Sequence, residues 1–131
     1  MKDYVADTHS LLWFLSAPRK LGAQASRAFG AMGTGSTIHV SVASLWEVAL
    51  LHEKGRIHLP AGFSAWREGL SAVDGLRVEP LLVEDVEEAR GLGGISDPFD
   101  RLIAGTAVRI GAWLISRDEQ IRRVRRVRTV W

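Results

Sequence analysis

Five short apolar segments alternate with stretches of helical character along 131 residues, and no other feature restricts the fold as much. The segments are Tyr4-Val5-Ala6, Ile38–Ser41, Leu76–Leu82, Ala112–Ser116 and Val127–Trp131. Between them lie Ser10–Leu15, halted by Pro18, and an alanine-rich stretch from Leu21 to Met32. Further helices are expected from Ala43 to about Glu53, over Gly62–Val73 and Glu84–Arg90, from Asp97-Pro98 to near Gly111, and over Glu119–Val124. Strands separated by helices pair in parallel, because the crossover brings each new strand back to the same edge. The expectation is an α/β fold with a parallel sheet covered on both faces, formed by one domain over residues 1–131. No internal repeat, long linker or low-complexity segment interrupts it. In such sheets the functional crevice lies outside the carboxyl ends of the strands, so residues just after strands are the ones to inspect.

Acids stand at those positions. Asp7 follows the first strand, and Asp118 lies just past Ile115. Glu47 falls in the first turn or two of the helix after the second strand. Asp100 falls in the first turn of a helix that must run antiparallel to the strand after it, which puts its start at the same carboxyl edge. Asp97, one turn away, is a possible fifth member. Each also has an ordinary structural role open to it. Asp97-Pro98-Phe99-Asp100 reads as a helix start with Asp97 as N-cap, and Asp7 and Asp118 could cap the helices that follow them. Glu47 is less easily placed. The helix Val42-Ala43-Ser44-Leu45-Trp46-Glu47-Val48-Ala49-Leu50-Leu51 looks buried on most sides, where a carboxylate needs either an arginine partner or a cation.

Four carboxylates gathered at one edge repel one another and call for compensating positive charge. Hard oxygen donors favour Mg²⁺ or Mn²⁺, whereas zinc would want histidine or cysteine. The chain has no cysteine, and its four histidines lack metal-pair spacing. Mg²⁺ held by a few carboxylates also takes up phosphate oxygens, and phosphodiester hydrolysis matches that chemistry. The glycine-rich Gly30–Thr37 lacks the lysine of a phosphate loop and precedes a strand instead of a helix. The five tryptophans read as core and interface. The two early acids, Asp3 and Asp7, occupy the place of the apolar run of a signal peptide, and no segment has the length of a membrane span, so the cytoplasm is the expected compartment.

Charge is uneven. Residues 117–131 hold six arginines against Asp118 and Glu119, which leaves the rest of a chain of net charge +2 slightly acidic. Arg122, Arg123, Arg125, Arg126 and Arg128 follow Asp118 closely and are expected beside the carboxylate edge. There Arg122, Arg123 and Arg126 in particular could contact RNA or a protein partner, or form a solvated face.

The same residues carry a family resemblance. The chain resembles a VapC-type toxin of the PIN-domain ribonuclease superfamily. The matching stretches are Asp7-Thr8-His9-Ser10-Leu11-Leu12-Trp13, Ser44–Val48 with Lys54–Leu59, Asp97-Pro98-Phe99-Asp100-Arg101-Leu102-Ile103-Ala104, Leu114–Glu119 and Val130-Trp131. They keep the family's order over almost the whole chain. The resemblance implies a three-layer α/β/α fold with four to five parallel strands and Mg²⁺- or Mn²⁺-dependent endonuclease activity on RNA. It also implies a cognate antitoxin and a homodimer. The family's four acids fall on Asp7, Glu47, Asp100 and Asp118, with Asp7, Asp100 and Asp118 mainly metal ligands. Glu47 would be a ligand or the orienter of the attacking water, and Ser116 and Asp97 auxiliary groups. The competing expectations are a PIN nuclease that processes RNA without an antitoxin, and a non-catalytic RNA-binding module. A receiver-type signalling domain would need a lysine at a late strand end, where this chain has Ser116-Arg117-Asp118.

Overall fold

Val5 and Ala6, neighbours on one strand, belong to opposite hydrophobic cores. The computed structural model, which describes residues 1–131, places them on β1 (Lys2–Ala6), the middle strand of a five-stranded sheet. Around β1 lie β2 (Ser36–Ser41), β3 (Leu76–Glu79), β4 (Trp113–Ile115) and β5 (Thr129–Val130), in the order β3-β2-β1-β4-β5. Every pairing is parallel, with Tyr4 opposite both Ile38 and Trp113.

One face of the sheet packs against α1 (Thr8–Ser16), α2 (Ala23–Gly30) and α4 (Gly62–Ser71), through Leu11, Ala25, Ala28, Phe29 and Leu70. The other face is covered by α6 (Pro98–Ile110), with Ile103, Ala104 and Ala107 directed inward, and by Ile121 of the short α7 (Glu119–Arg122). α3 (Val42–Glu53) stands at the end of the sheet and supplies Ala43 to one core and Leu45 to the other. The three-layer α/β/α arrangement is therefore the one expected. α5 (Val83–Arg90) lies so close to α6 that a Cβ on Gly105 would sit 2.5 Å from the Asp85 carbonyl oxygen. α6 stops at Gly111, whose φ of 70° is left-handed.

Three sequence expectations change. The third strand ends at Glu79 and not at Leu82, because Pro80 has no N–H to continue the ladder. The helix from Leu21 shortens to Ala23–Gly30. α3 is buried on one side only, through Ala43, Ser44, Leu45 and Val48, and Trp46 is 58% exposed. No helix is long and apolar enough to cross a membrane.

Candidate active site

The site forms where three strands and one helix present their ends together. β1 and β4 run in register, Ala6 opposite Ile115, and the Asp7 N–H donates to the Ile115 carbonyl at 3.2 Å. Asp7 and Ser116 are thereby fixed side by side at the carboxyl edge. Ser116 is fully buried, and its Oγ accepts the Asp118 N–H at 3.1 Å. That bond sets where the next acid turns out of the sheet.

Three of the acids are caps as well as members of the cluster. Asp7 Oδ1 accepts the Ser10 N–H at 2.8 Å, Asp97 Oδ1 the Asp100 N–H at 2.9 Å, and Asp118 Oδ1 the Ile121 N–H at 3.1 Å. Capping uses one oxygen of each carboxylate. The second oxygen accepts no hydrogen bond within the chain. The two roles weighed from sequence therefore coexist, and the helix starts are what orient the free oxygens.

Glu47 has no arginine partner. Its Oε1 is buried without any hydrogen-bond partner, and no ion pair of the chain involves it. Burial raises its pKa, and the charges of Asp97 and Asp7 add to that. The Thr8 hydroxyl, which also bonds Ser44 Oγ at 3.2 Å, and the nearby His9 temper the shift. Asp100 is affected more strongly. Burial, followed by the charges of Asp97, Asp7, Glu47 and Asp118, pushes it from 3.8 up to about 7.

A cavity of about 410 Å³ opens beside these groups, lined by Asp7, His9, Trp13, Asp100, Arg117 and Asp118. His9, Trp13 and Arg117 were not singled out from sequence. The signal for Arg117 was its place directly before Asp118, and for His9 and Trp13 their spacing on one side of α1. Nowhere do three or more Asp, Glu or His side chains already stand close enough together to hold a metal ion among them. The donor set nonetheless suits a hard divalent cation. It is made of carboxylate oxygens, it is free of lysine and arginine ion pairs, and one buried oxygen is unsatisfied.

Two of the arginines expected beside the carboxylate edge lie elsewhere. Arg126 pairs with Glu88 of α5, and Arg128 donates to the Gly111 carbonyl at 2.8 Å and lies over Trp113. Both are at the amino edge of the sheet, away from the carboxylates. β5 is parallel to β4, so the chain must travel back across the molecule before Thr129, and it carries these side chains with it. Arg122 and Arg123 remain exposed at the end of α7.

A family profile described as PIN domain matches residues 4–127. The chain belongs to the PIN-domain family. Among its relatives is ribonuclease VapC22 of Mycobacterium tuberculosis, 30% identical over 135 residues that cover 100% of both chains, which puts this PIN domain with the VapC type. The fold is shared with VapBC2 of Rickettsia felis, solved bound to a DNA fragment from their promoter, at a TM-score of 0.74 and 15% identity over 98% of each chain. It is likewise shared with DNA-bound VapBC of Salmonella typhimurium, at 0.74 and 18% identity over 99% of this chain and 98% of that one.

Proposed function

We propose that this PIN domain is the toxin of a type II toxin–antitoxin pair and acts as a Mg²⁺- or Mn²⁺-dependent endoribonuclease. The observation that carries the reading is the state of Asp100. Its carboxylate is driven up to about 7 by burial, by Asp97 at the same helix start, and by Asp7, Glu47 and Asp118 from three other parts of the chain. Such a cluster is costly to assemble unless a cation and a phosphate are to be drawn into it.

Asp7, Asp100 and Asp118 would hold the cation, each offering an oxygen not used in capping or, for Asp100, both. When bound, such a cation offsets charge on the scissile phosphate and makes a water a stronger nucleophile. Glu47, whose Oε1 is unsatisfied, would bind the cation or orient that water and take its proton. Asp97 keeps the first turn of α6 in position and holds negative charge beside Asp100. Ser116 fixes the backbone of Asp118.

Exposed apolar side chains support association with an antitoxin and with a second copy of the chain. They include Val42 and Trp46 on α3, and Leu81, Leu82, Val83 and Val86 around the start of α5. The cytoplasm, where RNA substrate is present, is the proposed site of action.

The test is cleavage of RNA by purified protein with Mg²⁺ or Mn²⁺, followed by end-mapping of cellular RNA after brief induction. Wild type should leave discrete new ends. Asp7→Asn and Asp100→Asn should leave none while melting no lower than wild type in chelator. Full activity in either variant would overturn the metal-site reading, and RNA left uncut by wild type under every divalent ion would overturn the nuclease reading.

A further inference from the structure

Arg117 is the one cationic arginine or lysine on the wall of the acidic cavity, yet it forms no ion pair with the carboxylates around it. An indole holds it elsewhere. Its guanidinium lies over the Trp13 ring at 4.7 Å from the centroid, and Lys20 Nζ lies 5.9 Å from the same centroid. A cation is drawn to the negative face of an indole ring, which favours one resting place for this long side chain.

The indole is itself fixed from behind. Trp131 meets Trp13 edge-on at 5.7 Å. The Trp131 N–H donates to Gln24 Oε1 at 3.1 Å, and its carbonyl accepts the Gln24 N–H at 2.9 Å. Gly22 leaves the slot for it, since a Cβ there would come within 2.5 Å of the Trp131 carbonyl carbon. The closing Val130-Trp131 of the chain thus braces a platform at the mouth of the cavity.

We propose that Arg117, seated on Trp13 with Lys20 beyond it, is a substrate-positioning subsite that binds RNA phosphates next to the one being cleaved. The proposal rests on the ribonuclease reading above and adds residues to it. A guanidinium kept out of carboxylate ion pairs keeps its planar fork of donors available for a phosphate, which it can grip through two parallel hydrogen bonds. It also offsets the repulsion an RNA strand meets on approaching the acids. A strand leaving the carboxylates toward Trp13 would meet Arg117 on the cavity wall and Lys20 near the same ring. That lane gives the bound RNA a direction, which the acids alone do not.

The experiment measures binding of a fluorescein-labelled single-stranded RNA that contains a bond wild type cleaves, across a range of KCl. It uses the full chain carrying Asp100→Asn, so that the probe survives. Each phosphate neutralised on a single strand contributes about 0.7 to the slope of log affinity against log salt. Arg117→Gln and Lys20→Gln should each flatten the slope by about that amount, and Arg117→Lys should restore it. Gly22→Ala, which touches no RNA, should weaken binding by displacing the platform. Shortening the probe on one side of the scissile bond should abolish the effect of Arg117→Gln, and shortening the other side should not. An unchanged slope in Arg117→Gln, with wild type still cleaving the RNA, would overturn this proposal and leave the nuclease reading standing. So would a loss confined to antitoxin binding. RNA neither bound nor cut by wild type would instead overturn the nuclease reading.

Discussion

The Asp97 carboxylate accepts the backbone N–H of Asp100 at 2.9 Å and, after burial, is the foremost cause of the raised pKa of the Asp100 side chain. One residue thus places the first turn of α6 and sets the protonation of the acid presented there. Substitution separates the two roles. Asparagine caps about as well as aspartate but carries no charge. Asp97→Asn should therefore leave stability close to wild type and lower the pH at which Asp100 ionises. Asp97→Ala should lower that pH too, and cost about 1 kcal/mol of stability through the lost cap. Carboxyl ¹³C titration in chelator reads the ionisation, and an unmoved Asp100 midpoint in both variants would refute the coupling.

Stability of the cation-free protein should fall as pH rises from about 4 to about 7. Asp100 ionises near 3.8 when unfolded and at about 7 in the fold, so across that window the folded state holds the extra proton. Raising the pH then favours the unfolded chain. Glu47, shifted in the same direction, adds to the slope. Urea denaturation at several pH values in chelator should show the decline, and Asp100→Asn should make it shallower. A variant with the wild-type slope would assign the effect to other groups.

How much of this was legible in the sequence follows from what each residue depends on. Asp7, Asp100 and Asp118 depend only on the strand–helix alternation and on the direction each element must run, and those are written in local pattern. Glu47 was legible because no cap or partner explained it. His9, Trp13 and Arg117 were not, because their place in the cavity depends on which way α1 turns its side chains once Trp131 packs behind it. The position of Arg126 could have been reasoned further. A terminal strand parallel to β4 requires a return to the amino edge, and that return separates Arg126 and Arg128 from Asp118. Apolar composition alone cannot tell a core helix from one that, like α3, leaves a tryptophan exposed, as Trp46 is.

Away from the site, Asp85 on α5 is fully buried and pairs with Arg109 of α6, while its other oxygen accepts the Leu82 N–H at 2.9 Å. Arg109 also reaches Glu79 at 3.6 Å. Arg109→Ala would leave the Asp85 carboxylate buried and uncompensated. Breaking one side of a buried pair costs about 3–5 kcal/mol, and the partial exposure of Arg109 puts the expectation at the low end, about 3 kcal/mol. Asp85→Asn combined with Arg109→Ala should recover part of that. Denaturation midpoints for the two variants test this, and a single variant as stable as wild type would show that the pair does not hold α5 to α6.

On the metal-dependent reading, the acids that raise Asp100 also determine how a cation binds. At pH 6 an Asp100 that titrates at about 7 is mostly protonated, whereas a ligating carboxylate must be ionised. Mg²⁺ or Mn²⁺ binding should then release on the order of one proton at pH 6, with Glu47 contributing if it too becomes a ligand. At pH 8 Asp100 is already mostly ionised, so its share of the proton release should be small and affinity should be higher. Titration calorimetry with Mn²⁺ in two buffers of different ionisation enthalpy separates the proton count from the binding heat. Asp97→Asn should reduce the count at pH 6 by lowering the Asp100 pKa, without removing a cap or a principal ligand. A count of zero at pH 6 in wild type, with Mn²⁺ bound, would mean that Asp100 is not the protonated acid of the cluster.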